Sequence, residues 1–465
     1  MTIKSSFRES LKGKKVGILG LARSGISAAK ALLSLGAEVF ISDSKSSKEL
    51  EGWLAQAKDL PIEVESGGNT EAVYRGRDLV VISPGVSYDI PLLKEARAHQ
   101  VPVIGELELA YRLSRAPFIA VTGTNGKSTT TSLIHHMLVT GGKPAIFGGN
   151  IGLPIVGEVM KIGSDGWVVT EVSSFQLESV ESFRPRISVL LNITSDHLDR
   201  HKDFAEYAAM KARIFMNQKN GDMAVLNADD PAVMTLRPQL KTDCRLFSRR
   251  QDVSDGADYR DGQIFLRKAG EDIFVCRWNE LPLKGFHNLE NVLAAVTVCS
   301  ICDVGTGDMV SAIKSYRTME HRLEFAGSVQ GVKFYDDSKG TNPGAVKAAL
   351  ESFSEPIILI AGGKDKEMDF RVLGKTIQKN AKALITIGEA AGKISQAAGN
   401  AGMERISFAV SLDDAVERAY RMALPGDVVL LSPACASFDM FRCAEERGEL
   451  FQKAVKTLKT REEGS

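Results

Sequence analysis

Three short stretches of the chain carry residue types whose spacing could do chemistry: Gly123-Thr124-Asn125-Gly126-Lys127-Ser128, Asp336-Asp337-Ser338-Lys339-Gly340-Thr341-Asn342 and Ser432-Pro433-Ala434-Cys435-Ala436-Ser437. The first has the makings of a phosphate loop. Gly123 and Gly126 let the backbone curl around an anion, Lys127 reaches a terminal phosphate, and Ser128 or Thr129 can hold a magnesium ion. The common pattern has a glycine where this chain has Val121, so a glycine-rich turn ending in Lys-Ser is the plain alternative. The other two stretches, with Lys366 between them, offer ammonium groups at Lys339 and Lys366 and hydroxyl donors at Thr341 and Ser437. Such groups suit a ligand with carboxylates or phosphates, while a lysine taken singly reads as solvated surface.

These residues need elements that aim them at one place. The phosphate loop follows the apolar run 117–121 and precedes Leu133, Ile134, Met137 and Leu138 at helical spacing, which puts it between a strand and the positive end of a helix. Glu171 closes the apolar run 167–170, and Asp196 and His197 follow the run 187–193. In an open parallel sheet all strand C-termini share one edge, so Glu171, His197 and the loop are expected to converge. A carboxylate beside a triphosphate suits magnesium, and an imidazole can ligate metal or act as a base. His99, His135, His136 and His201 have no such context and read as structural or surface residues.

Lys211 is oddly placed. At about 100° per residue it falls on the helical stripe of Phe204, Ala208 and Phe215. Burial would favour a neutral amine open to modification, for example to a carbamate that could ligate magnesium. The alternative is a stem lying along apolar surface with its amine in water.

Toward the N-terminus, the run 15–19, the turn Gly20-Leu21-Ala22-Arg23-Ser24-Gly25, a helix to about residue 35 and the run 37–42 ending in Asp43 resemble half of a dinucleotide-binding fold. The glycines lack G-x-G-x-x-G spacing, which weakens a dehydrogenase and leaves another phosphate-bearing ligand equally open. Ser83-Pro84-Gly85 follows the run 78–82 and is expected on the same edge.

Strand and helix patterns alternate throughout the 465 residues, which implies an α/β chain of three domains, each a mostly parallel sheet flanked by helices: Rossmann-like at the N-terminus, P-loop NTPase-like in the centre and Rossmann-like at the C-terminus. The expected divisions are 1–110, 111–318 and 319–465. Lys plus Arg and Asp plus Glu both total 58, so no global field favours nucleic acid or an anionic membrane. The N-terminal segment lacks the apolar core of a signal peptide and no run reaches the roughly 20 apolar residues of a membrane span, so a cytoplasmic protein is expected. Six cysteines without a paired framework, including Cys299 and Cys302 in an apolar helical segment, read as reduced packing thiols.

Over essentially its whole length the chain resembles the Mur ligases, which add amino acids to a nucleotide-linked peptidoglycan precursor. The resemblance rests on Thr122 to Ser128, Glu171, Asp196-His197, Lys211, Gly285-x-His287-Asn288-x-x-Asn291 and His321-Arg322, and the loop's departure at Val121 is the family's own variant. The stretches 337–342 and 432–439 resemble those of its D-glutamate-adding branch.

The resemblance implies that Gly20, Leu21, Ala22, Arg23, Ser24, Asp43, Ser83, Gly85 and Asn150 bind the acceptor, UDP-N-acetylmuramoyl-L-alanine. Gly123, Thr124, Asn125, Gly126, Lys127, Ser128, Thr129, Asn288, Asn291, Arg322 and Asp337 would bind ATP. One Mg2+ would sit by Ser128 and Glu171, and a second by His197 and a carbamylated Lys211. D-glutamate would be held by Thr341, Lys366 and Ser437, with Lys339 near the reacting groups beside Lys127, His197 and Lys211. A further family contact falls near Ala444, where only the backbone offers polar atoms. Small-molecule substrates, no nucleic acid, no membrane insertion, a monomer and a hinge near residues 316–320 complete these expectations. The competing readings are a sister ligase for another amino acid or for folate, a nucleotide-controlled switch, and a dinucleotide-dependent oxidoreductase. The switch is disfavoured by the lack of an Asn-Lys-x-Asp motif.

Overall fold

The computed structural model describes residues 3–150, 152–194, 196, 200–283, 285–365 and 368–463. Three sheets, one per α/β domain, organise the chain. The first contains β1 (Lys15–Leu19), β2 (Glu38–Asp43), β3 (Ile62–Ser66), β4 (Leu79–Ile82) and β5 (Val103–Gly105), all parallel in the order β3-β2-β1-β4-β5.

The second has nine strands: β6 (Phe118–Thr122), β7 (Ala145–Gly149), β8 (Trp167–Glu171), β9 (Ile187–Leu190), β10 (Met223–Asn227), β11 (Asp243–Ser248), β12 (Gly256–Arg260), β13 (Gln263–Lys268) and β14 (Glu271–Arg277). Their order is β14-β13-β12-β11-β10-β9-β6-β8-β7, parallel except where β13 pairs antiparallel with β12 and β14. The third contains β15 (Glu324–Val329), β16 (Val332–Asp336), β17 (Ile357–Gly362), β18 (Ala381–Ile387), β19 (Ile406–Phe408) and β20 (Val428–Leu431), ordered β15-β16-β20-β17-β18-β19 with only β15 antiparallel.

The central strands are nearly all-apolar because both sheet faces are covered. In β17, Ile358 and Ile360 belong to one buried cluster while Ile357, Leu359 and Ala361 belong to another on the opposite face. β20 alternates in the same way, Val429 and Leu431 against Val428 and Leu430. This is the two-residue period of a strand read out as two cores.

The chain divides into two compact units: Met1–Ile193, Ala205–Glu280 and Asn291–Ser315 form one, and Thr194–Phe204, Leu281–Glu290 and Tyr316–Ser465 the other. The first unit contains the first two sheets, joined by one buried cluster that runs from Val16 and Ile18 through Leu107, Leu109 and Leu113 to Phe118 and Val168. Glu108 pins this junction: its carboxylate accepts from the backbone N–H of Glu181, Ser182 and Phe183 and from Arg112.

All six cysteines are free thiols, and burial pushes Cys302 up to about 12, as befits packing residues. Among the described residues no helix is long and apolar enough to cross a membrane.

Candidate active site

In the first unit, the phosphate loop joins β6 to the helix Lys127–Thr140. Gly126 caps that helix in the left-handed conformation, φ +83°, and a Cβ there would stand 2.3 Å from Asn291 Oδ1, so only glycine fits. Asn192, just beyond β9, straps the loop. Its Oδ1 accepts from the N–H of Thr124 (3.1 Å) and Asn125 (2.8 Å), and its Nδ2 donates to the Asn125 carbonyl (3.1 Å). Asn291 Oδ1 accepts from Thr130 Oγ1 at 3.2 Å on the same helix.

Two amines meet at this loop. Lys127 Nζ folds back onto the carbonyls of Gly123 (3.0 Å) and Thr124 (2.8 Å), and Lys211 Nζ donates to that same Gly123 carbonyl at 2.8 Å. Lys211 is 2% exposed with its amine 4.5 Å from the Tyr207 ring centroid, so the surface-stem alternative is wrong. The stripe proposed for it also needs correction. The helix Phe204–Ala212 gives way to a 3-10 turn, Arg213–Phe215, Phe204 is exposed, and the buried pair is Tyr207 with Lys211, one turn apart.

Glu171 ends β8 in register with Val121 of β6 and Gly149 of β7. Its Oε1 accepts from Asn150 Nδ2 at 2.9 Å, while Oε2 is buried without a hydrogen-bond partner. A buried carboxylate oxygen lacking a donor is a position that a hard cation fits. Ser128, also buried, lies in the first turn of the neighbouring helix. His197 lies outside the described residues.

The first sheet presents a second edge. Asp43 Oδ2 accepts from Leu21 N–H at 2.7 Å and Ser83 Oγ donates to the Gly20 carbonyl at 3.2 Å, which brings the turn, Asp43 and Ser83-Pro84-Gly85 together as the strand-end reading expects. A Cβ on Gly25 would lie 2.0 Å from the Gly20 carbonyl oxygen, which explains the wide glycine spacing. Arg23 Nη1 reaches the carbonyl of Gly152 at 3.3 Å, tying this turn to the loop after Asn150. Neither the helix Arg23–Ser34 nor Lys127–Thr140 is capped by a side chain, as suits an end that receives an anion.

In the second unit, the C-terminal motif loops are bound to one another by the backbone. Ala434 N–H donates to the Gly340 carbonyl (2.9 Å), Gly362 N–H to Pro433 (2.8 Å) and Lys364 N–H to Ala436 (2.8 Å). Thr341, the loop leading to Lys366, and Ser437 therefore share one framework, while Lys366 itself lies outside the described residues. Arg447 is the centre of that framework and gave no sequence signal. Its buried guanidinium donates to Ser338 Oγ (2.9 Å), the Ser338 carbonyl (2.8 Å) and the carbonyls of Cys435 (3.2 Å) and Ala436 (3.4 Å). Burial pushes it down to about 10, and carbonyl acceptors surround it.

Lys339 pairs with Glu445 at 2.6 Å. Burial opposes ionisation of that carboxyl, but Lys339 brings it down to about 2. The Ala444 carbonyl accepts from Ser338 Oγ at 2.7 Å, so the backbone there is engaged within the framework.

Asp337 Oδ2 accepts from Ser432 Oγ at 2.7 Å, and burial pushes the carboxyl up to about 7 against the pull of Ser432 and of the nearby Arg322 charge. His321, at φ +61°, shares 2.7 Å with Asp336 through Nδ1. Asn288 is buried in the first turn of the helix Phe286–Ile301 beside His287, whose pKa burial brings down to about 4. Three of the four histidines read as structural or surface residues make such contacts, His135 with the Ala145 carbonyl, His136 with Ser315 and His99 with the Glu95 carbonyl, and His201 is buried.

Sequence reasoning missed Asn192, Arg447 and the bridging amide of Asn342. Asn192 stands at a strand end and the logic applied to Asp196 would have found it.

Comparison with known proteins matches the chain to three family models: Mur ligase MurD-like, N-terminal domain, over residues 14–105; Mur ligase middle domain over 121–299; and Mur ligase, glutamate ligase domain, over 321–435. It is 45% identical over 446 residues to a UDP-N-acetylmuramoylalanine–D-glutamate ligase of Pelotomaculum thermopropionicum, covering 96% of this chain and 98% of that one. It is 43% identical to the protein of the same name from Caldanaerobacter subterraneus, covering 97% and 99%. Among solved structures, the UDP-N-acetylmuramate-alanine ligase of Thermotoga maritima matches in fold with a TM-score of 0.63 at 19% identity, over 96% of this chain and 100% of that one. A pseudomurein peptide ligase type C from Methanothermus fervidus matches with a TM-score of 0.63 at 18% identity, over 96% and 100%.

Proposed function

This chain belongs to the Mur ligase family, and on that premise we propose that it is an ATP-dependent ligase joining D-glutamate to UDP-N-acetylmuramoyl-L-alanine, forming ADP and phosphate in peptidoglycan precursor synthesis. The observation that carries the D-glutamate assignment is the pair of C-terminal motif loops held in one framework by Arg447, together with full-length relatives of that name. The domain divisions 1–110, 111–318 and 319–465 are supported by the family-model spans, and the hinge at 316–320 by Tyr316 opening a stretch of the second unit.

A carboxylate is a poor electrophile at neutral pH. In this reading the acceptor's alanyl carboxylate takes the terminal phosphoryl group of ATP to become an acyl phosphate; the amine of D-glutamate attacks, the amide forms and phosphate leaves. Lys127 swings from the Gly123 and Thr124 carbonyls to the transferring phosphoryl oxygens, and the first-turn N–H groups of its helix cradle the phosphates. Asn288, Asn291, Arg322 and Asp337 complete the ATP site. The residues at the phosphate loop fit divalent cations, given the partnerless Glu171 Oε2: Ser128 and Glu171 would hold one magnesium, His197 and a carbamylated Lys211 a second. When bound, the ions supply positive charge against the phosphate oxygens.

Lys211 as a carbamate would also set an anion beside the Lys127 amine, a favourable pairing, since both side chains reach the Gly123 carbonyl. The first-sheet edge, with Asn150, binds the UDP-linked acceptor. Thr341, Lys366 and Ser437 bind D-glutamate, and Lys339, held by Glu445, stands ready to exchange that carboxylate for a substrate's. An ATP-driven reaction on a UDP-linked acceptor suits the cytoplasm, and the enzyme is proposed to act as a monomer.

The deciding experiment measures phosphate release and peptide product from ATP and UDP-N-acetylmuramoyl-L-alanine with D-glutamate, L-glutamate, other amino acids or no amine. Stoichiometric product with D-glutamate alone is the expected result. Turnover with another amino acid instead keeps the fold and moves the substrate.

A further inference from the structure

Asn342 uses both ends of its amide. Its Oδ1 accepts from Ala345 N–H at 2.8 Å and caps the helix Pro343–Leu350, while its Nδ2 donates to Asp196 Oδ2 at 3.1 Å. Each of the two side chains is 7% exposed, and the contact joins positions 146 residues apart within one compact unit. Capping alone asks only for an acceptor, which serine, threonine or aspartate would also supply. Asparagine adds a donor on the far side of the same rigid group. What that donor meets is a buried carboxylate, where a hydrogen bond is charge-assisted and its loss costs more than that of a neutral one.

The two ends of this bridge lie beside different parts of the proposed chemistry. Thr341, next to Asn342, belongs to the amino-acid loop, and Asp196 precedes His197 in the segment Thr194–Phe204. We propose that Asn342 is a positioning residue that fixes Asp196 against the amino-acid loop, so that the chain leading out of β9 keeps its alignment with that loop. The catalytic consequence rests on the D-glutamate ligase reading; the mechanical one does not.

Asn342→Ser separates the two roles, because serine keeps the cap and loses the donor aimed at Asp196. In the intact protein, amide hydrogen exchange across 194–204 is expected to rise about fivefold or more while that of 343–350 stays at the wild-type rate. Asn342→Ala raises both. With D-glutamate as substrate, kcat of Asn342→Ser falls about tenfold while KM for the UDP-linked acceptor holds. Asp196→Ala loosens the contact from the other end, and the double variant is no slower than the slower single one because the bond the two side chains share is already lost.

Unchanged exchange across 194–204 in both single variants overturns the proposal, as does raised exchange with wild-type kcat, or losses that multiply in the double variant. Should Asn342→Ser fail to fold, Asp196→Ala gives the same readings by itself. Exchange is read without substrate, so a wild-type enzyme indifferent to D-glutamate would sink the substrate reading and leave this one standing.

Discussion

The phosphate loop and the amino-acid loops are built in opposite ways. The first is one contiguous stretch whose own backbone, helix end and lysine make the candidate site, with Asn192 as an external strap. The second is assembled from stretches near 338–341, 362–364 and 433–437, tied by single backbone hydrogen bonds and by one guanidinium from the helix Ala444–Glu463. A contiguous site concentrates function in the residue that touches the reacting group. An assembled one spreads it into residues that touch no substrate, and there the keystone is Arg447.

That contrast predicts different responses to mutation. The largest effect is expected at Lys127→Ala, which removes the charge that, in the proposed mechanism, meets the transferring phosphoryl group; ATP-dependent turnover should fall by about a thousandfold with an unchanged thermal melt. Turnover within tenfold of wild type would show that the loop works by its backbone alone. Lys211→Ala is expected to be inactive yet folded, and to regain part of its turnover in acetate or another short carboxylate. A folded, ATP-binding variant that no carboxylate rescues would remove the carbamate from the mechanism.

Arg447→Ala should weaken both function and fold in the second unit: loss of several buried hydrogen bonds costs about 3 kcal/mol of stability. D-glutamate-dependent turnover should fall more steeply than nucleotide affinity, most of whose proposed contacts lie in the first unit. Arg447→Lys should rescue little, since a lysine cannot reproduce the planar fork. If Arg447→Lys restores wild-type kinetics, the framework is held by charge and not by geometry.

The smallest effect is a pH dependence that each unit shows through one buried carboxyl. Glu106 is pushed by burial up to about 7, opposed only by the Val156 N–H, and Asp337 is pushed up to about 7 likewise. The folded protein then holds protons that the unfolded chain releases near pH 4, so this stability is fully present below about pH 4 and is lost as pH rises toward 7. Glu106→Gln and Asp337→Asn should each flatten that decline by about 1 kcal/mol or more, read from denaturant melts across pH 4 to 8. Parallel slopes in wild type and both variants would mean that the carboxyls stay ionised and find partners on folding.

Legibility in the sequence followed the same division. The phosphate loop, Glu171 and the edge made by Gly20, Asp43 and Ser83 were readable because strand-end position and glycine spacing are local patterns, and the structure puts them where those patterns point. Lys211 was ambiguous, because helical spacing reports which face a residue occupies and not whether a second element covers that face. Tyr207 beside it and the Gly123 carbonyl beyond it are what settle its burial. Arg447 was illegible altogether, lying in a charged stretch, Glu445-Glu446-Arg447, that reads as solvated surface.

By itself, then, the sequence determined the alternation of strands and helices, the three α/β domains, and the strand ends at which chemistry gathers, because each depends on neighbours within a few residues along the chain. Only the tertiary structure decided that Lys211 is buried, that Glu171 keeps one oxygen without a partner, that Arg447 joins the motif loops and that Asn342 reaches Asp196. Those outcomes depend on which distant groups desolvate and bond one another, and sequence spacing carries no record of that.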